Sequence, residues 1–133
     1  MESKEWVLVV DDDEDICWAV QVTLCRHGLR TVAARSALAA LEILRGSPPP
    51  AVMVVDLRMP VMSGEELVTA VRKDAALAGI SIVGMSGDID GPDIARKCTL
   101  ADFLVKPVDV GRLVSAVQRA LATTRESAVE AAP

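Results

Sequence analysis

Trp6-Val-Leu-Val-Val-Asp-Asp12 is an unbroken apolar run that stops on two acids, and Ala51-Val-Met-Val-Val-Asp56 repeats the design with one. Neither run alternates apolar with polar. Such near-continuous Val/Ile/Leu stretches mark strands buried on both faces, as in a parallel sheet covered by helices on each side. The carboxylates of Asp11, Asp12 and Asp56 then sit where two strands end. In open α/β sheets, ligands bind in the crevice beyond the carboxyl ends of the strands. Three acids gathered there make a cation site.

The rest of the chain supplies the helices and strands this requires. Glu14 to His27 carries Ile16, Ala19, Val20 and Leu24 at helical spacing, and Gly28 stops it. Leu29 to Ala34 reads as a short strand. Ser36 caps a helix from Ala37 to Arg45, closed by Gly46 and Pro48-Pro-Pro50. After Ala51 to Val55, the turn-rich Leu57 to Gly64 leads into a helix from Glu65 to about Asp74. Ile80 to Met85 is a fourth strand, and Pro92 opens a short helix to Lys97. Asp102 to Val105 is a fifth strand, broken by Lys106-Pro107, and Asp109 caps a last helix through about Ala122. Residues 1–122 form one domain on this reading, with 123–133 a fraying, flexible tail or the start of a linker.

Strand and helix alternate five times, with connections that suit right-handed crossovers. The expected fold is an α/β doubly wound sheet of five parallel strands with helices on both faces. Among doubly wound orders, the flavodoxin-like 2-1-3-4-5 has its switch point between strands one and three. Those are the two strands that end in acids.

Composition narrows the function. With 133 residues, one domain is expected, and its interior is aliphatic because the chain holds one Phe, two Trp and no Tyr. A net charge of −5 supplies no broad basic surface, so direct nucleic-acid binding is not expected. No apolar run reaches the ~18 residues of a membrane span, and Met-Glu-Ser-Lys-Glu lacks the form of a secretory leader. A cytoplasmic protein with no membrane association is expected. Cys17, Cys25 and Cys98 have neither even number nor CxxC spacing and read as reduced thiols. His27 reads as a polar residue in the last turn of a helix.

A hard divalent cation such as Mg²⁺ takes one or two carboxylates, keeps several waters and shares a phosphate oxygen. Asp12 and Asp56 suit that role, with Asp11 holding a water. A carboxylate can also accept a phosphoryl group as an acyl phosphate. Ser86 ends strand four and Lys106 ends strand five, so a hydroxyl and an ammonium face the same crevice.

In order along the chain stand Val9-Val10-Asp11-Asp12, Val55-Asp56-Leu57-Arg58-Met59-Pro60, Met62-Ser63-Gly64, Ser86-Gly87 and Lys106-Pro107. This set resembles the response-regulator receiver domain of two-component signalling, from about Trp6 to Ala122. The resemblance implies that Asp56 is the phosphoacceptor and that Asp11, Asp12, Asp56 and the main-chain carbonyl of Arg58 hold Mg²⁺. It also implies a switch hydroxyl at Ser86, a phosphate-binding Lys106, a cis Lys106-Pro107 bond and an aromatic switch at Phe103. Phosphorylation would pull Ser86 inward, let the Phe103 ring follow, and remodel helix four, strand five and helix five. A plain core role for Phe103 is the alternative.

The implied phosphodonor is a sensor histidine kinase or a histidine phosphotransfer protein. The chain would not be an enzyme in the ordinary sense, since it would catalyse only its own phosphorylation and dephosphorylation. Leu100, Phe103 and Leu113 offer apolar support for a homodimer through the switched face, with a place in the core the equal alternative for each. Arg58, two residues after Asp56, stands where the family often has a small or amide residue, and Asp88 stands two after Ser86; a pairing between them across the site would alter the acyl-phosphate lifetime, with two solvated charges the alternative. Competing readings are a phosphorylation-independent receiver-like interaction or dimerisation module, and a dehalogenase-type hydrolase. The latter lacks its second acid two residues after Asp56 and room for a cap domain. No GxGxxG or Walker loop points to nucleotide binding.

Overall fold

The computed structural model describes residues 5–87 and 91–131. Its elements run β1 (Trp6–Val10), α1 (Glu14–Arg26), β2 (Arg30–Ala34), α2 (Ala37–Arg45), β3 (Val52–Asp56), α3 (Gly64–Lys73), β4 (Ser81–Ser86), α4 (Gly91–Lys97), β5 (Asp102–Val105) and α5 (Val110–Ala131). The five strands form one sheet in the order β2-β1-β3-β4-β5. Every neighbouring pair is parallel.

Period-two alternation along the strands sorts their side chains into two cores. Leu8, Val10, Met53, Val55 and Ile82 meet α2 and α3, with Ile94 of α4. Val7, Val9, Val52, Val54 and Val83 meet α1 and α5. All five residues of β1 and all five of β3 are buried, which is why these runs carry no polar alternation. Aliphatic burial at roughly 25 cal/mol per Å² drives this packing.

Local capping chemistry sets the helix starts. Asp13 accepts from the amides of Asp15 and Ile16 at the head of α1, and Ser36 accepts from Ala39 N at the head of α2. Ser63 and Glu66 form a reciprocal capping box on α3. Asp109 Oδ1 accepts from Arg112 N at the head of α5. Gly28 ends the α1 turn with φ +78°, a conformation that only glycine adopts without cost.

Helix α5 continues to Ala131, past the Ala122 where the sequence pattern weakens. The reason lies in pairings that periodicity does not reveal. The Ser81 and Thr124 hydroxyls are 2.9 Å apart, and Arg125 grips the Glu5 carboxylate with Nη2 to Oε1 at 2.7 Å. These contacts tie the first added turn to the start of β4 and to the N-terminal segment. Leu113 is core, packed with Val83 and Met85, and so is unavailable to a dimer face. Among the described residues, no helix is long and apolar enough to cross a membrane.

Val61 has φ +70° and is 95% exposed, in the loop between β3 and α3. A β-branched residue in the left-handed region is strained, and so exposed a side chain recovers little by packing. Val61→Asn is expected to raise the unfolding free energy by about 1 kcal/mol, because asparagine tolerates this region. The urea midpoint reads this, and an unchanged or lower midpoint refutes it.

Candidate functional site

Because the strands are parallel, their carboxyl ends lie along one edge of the sheet. Asp11 and Asp12 follow β1, Asp56 and Ser86 are the last residues of β3 and β4, and Lys106 follows β5. Asp11, Asp56 and Ser86 are buried, whereas Asp12 is exposed. Lys106 Nζ donates to Asp11 Oδ2 at 2.9 Å and to Asp56 Oδ2 at 3.1 Å. The second oxygens are also held: Asp11 Oδ1 accepts from Asp13 N and Asp56 Oδ1 from Arg58 N, both at 2.9 Å.

Charge explains this arrangement. Burial pushes the Asp11 carboxyl above its usual range, and Lys106 and the Asp13 amide pull against that while the Asp56 charge adds to it. Burial alone would depress the Lys106 ammonium, but its hydrogen bonds and charge pairing with Asp11 and Asp56 outweigh it and raise the group. Lys106 therefore carries a positive charge at any ordinary pH. Two buried carboxylates sharing one cation leave net negative charge in the crevice, which suits a further cation.

The donor set fits one. One oxygen each from Asp11, Asp12 and Asp56 can be chosen so that all three lie within 4.8 Å of one another. All-carboxylate oxygen donors in a partly open crevice match a hard ion that keeps several waters. The structure thus brings Asp11, Asp12, Asp56 and Lys106 together as the sequence implies. The Lys106-Pro107 bond is cis, also as implied.

The Arg58 guanidinium lies 4.0 Å from Glu65 Oε1, an exposed pair of little energetic weight. Its proposed partner Asp88 lies outside the described residues. Phe103 is half-buried against the α2/α3 core. Cys17, which sequence reading treats as a bland thiol, donates from Sγ to the Asp11 carbonyl oxygen at 3.2 Å. Burial raises this thiol, so it steadies the β1 end as a neutral donor. Gly64 is a second residue the sequence reading leaves without a role, and only the fold reveals it: a Cβ there would stand 2.1 Å from the Asp56 carbonyl oxygen.

An apolar groove of about 260 Å³ opens beside Lys106, between α1 and the β5–α5 connection. Ile16, Ala19, Pro107, Val108 and Val110 line it.

The sequence profile of the response regulator receiver domain matches residues 7–118. The chain belongs to that family. The receiver domain is 35% identical over 129 residues to the response regulator protein PilR of Pseudomonas aeruginosa, covering 97% of this chain and 29% of PilR. It is likewise 35% identical over 111 residues to the two-component response regulator ORR8 of Oryza sativa, covering 81% of this chain and 91% of ORR8. The solved chemotaxis response regulator CheY4 of Vibrio cholerae superposes with a TM-score of 0.82 at 28% identity, covering 90% of this chain and all of CheY4. The receiver domain therefore spans under a third of PilR's length and nearly all of ORR8's.

Proposed function

We propose that this receiver domain takes a phosphoryl group onto Asp56 from the phosphohistidine of a sensor histidine kinase or histidine phosphotransfer protein. The observation that carries the reading is Lys106 Nζ held between Asp11 and Asp56, with Asp12 completing an oxygen cluster. A carboxylate oxygen of Asp56 attacks phosphorus, a P–O bond forms, the P–N bond breaks, and the leaving imidazole nitrogen keeps its electron pair. Positioning and charge stabilisation supply most of such catalysis.

Asp11, Asp12, Asp56 and the Arg58 main-chain carbonyl are the groups that would hold Mg²⁺, which neutralises phosphoryl charge when bound. Lys106 then turns from the Asp56 carboxylate to a phosphoryl oxygen, keeping its contact with Asp11. The Ser86 hydroxyl donates to another phosphoryl oxygen. The apolar groove beside Lys106 suits a helix of the donor protein, since its lining is apolar and it borders the acceptor. The added charge of about −1.5 to −2 biases Ser86 and Phe103 and remodels the α4, β5 and α5 face. Exposed Val105 and Val110, with Phe103, give that face the apolar surface a homodimer would use.

Incubation with acetyl phosphate and Mg²⁺, followed by intact mass measurement, tests the reading. A single phosphoryl gain is expected, and it disappears in Asp56→Asn and with chelator. A wild-type protein that gains nothing would overturn the reading in favour of an interaction module.

A further inference from the structure

Gly84 stands in the middle of β4, where glycine weakens a strand and gives nothing to pack. Its place is filled by a side chain from elsewhere. A Cβ on Gly84 would lie 2.7 Å from Leu100 Cδ1 and 3.2 Å from Leu57 Cδ1. Leu100, from the loop between α4 and β5, thus occupies the notch that the missing side chain leaves.

The notch lies beside both switch residues. Gly84 pairs with Phe103 across the β4–β5 ladder. Ser86, two residues further along β4, projects from the same face. Leu100 and Phe103 both pack against the α2/α3 core. Leucine and aromatic ring thus border the same core, on the sheet face from which Ser86 also projects.

The loop that carries Leu100 is fastened independently. Thr99 has φ +54°, and its carbonyl oxygen accepts from Arg72 Nη2 at 2.8 Å. Arg72 Nη1 also donates to Ala78 O at 2.8 Å and Ile80 O at 2.7 Å. One guanidinium on α3 thus joins the α3–β4 loop to the α4–β5 corner. Leu100 N adds a bond to Ala95 O at 2.9 Å.

We infer that Leu100 is a plug that gates the aromatic switch: seated on Gly84 and held by the Arg72 clamp, it bars the inward rotation of Phe103. Release of the corner, with displacement of Leu100, is then the step that couples Ser86 to α4. This rests on the proposed aromatic switch at Phe103, and on the acceptor reading for its phosphate-dependent part. A ligand that favours the ring-in state binds more tightly when the barrier to that state is removed.

The test uses Leu100→Ala, which empties the notch, Gly84→Ala, which fills it with a fixed methyl group, and Leu100→Met, which refills it flexibly. In the unphosphorylated protein, cross-peaks between the Phe103 ring and Ser86 strengthen in Leu100→Ala and do not in Gly84→Ala or Leu100→Met. Affinity for beryllofluoride with Mg²⁺, a mimic of the acyl phosphate, tightens about fivefold or more in Leu100→Ala and weakens in Gly84→Ala. Leu100→Met stays near wild type. A merely structural role would move both alanine variants in the same direction. Unchanged ring contacts in Leu100→Ala, or affinity within about twofold of wild type, would overturn the gate. A wild type that does not bind beryllofluoride would overturn the acceptor reading, while the ring contacts would still decide the gate. Should Gly84→Ala not fold, the two Leu100 variants carry the comparison alone.

Discussion

Lys106→Met is expected to slow phosphoryl uptake from acetyl phosphate by about 10²-fold, the usual cost of removing one positioned donor from a developing anionic centre. The ammonium bridges Asp11 Oδ2 and Asp56 Oδ2, so it screens the acceptor before transfer and can follow the phosphoryl group after it. Methionine fills similar space without charge or donor. The loss should therefore appear in the rate and not in the fold, apart from the repulsion left between two buried carboxylates. That repulsion makes the variant's stability depend more on Mg²⁺ than the wild type's, since a bound cation relieves it. Time-resolved intact mass measures the rate. A rate within about threefold of wild type would show that the lysine is not a phosphoryl ligand.

Gly64→Ala should remove about 3 kcal/mol of stability or more, at the upper end for overpacking. The glycine heads α3, and a Cβ there would stand 2.1 Å from Asp56 O, 2.6 Å from Leu57 Cα and 2.8 Å from Asp56 C. These are backbone atoms and cannot rotate aside. Either α3 lifts from the sheet or the acceptor strand shifts, so phosphoryl uptake should fall together with stability. The urea midpoint with an unchanged slope reads the first effect. A loss below about 1 kcal/mol would mean that the helix head yields more easily than its packing suggests.

Much of the fold was legible because it follows from local chemistry. β1 begins and ends where its apolar run does, β5 spans the Asp102–Val105 expected from the sequence, and Ser36 and Asp109 cap their helices as their positions imply. The end of α5 was not legible, because Thr124 and Arg125 look like an ordinary polar stretch until Ser81 and Glu5 stand beside them. For Leu113 the sequence leaves dimer face and core both open, because a helical leucine shows its burial only once the sheet beneath it is placed.

The site divides along the same line. That Asp11, Asp12 and Asp56 end their strands, and that a parallel sheet gathers such ends, is written in the order of residues, because strand periodicity and crossover handedness act over short stretches. That Lys106 ends β5 and faces the same crevice is written there too; only the tertiary structure decided that its ammonium, 95 and 50 residues away, is shared between Asp11 Oδ2 and Asp56 Oδ2. The same holds for Gly64 against the Asp56 backbone and for Leu100 in the Gly84 notch. These are distances between segments remote in sequence, set by how two cores pack about one sheet, and no local pattern of residues encodes them.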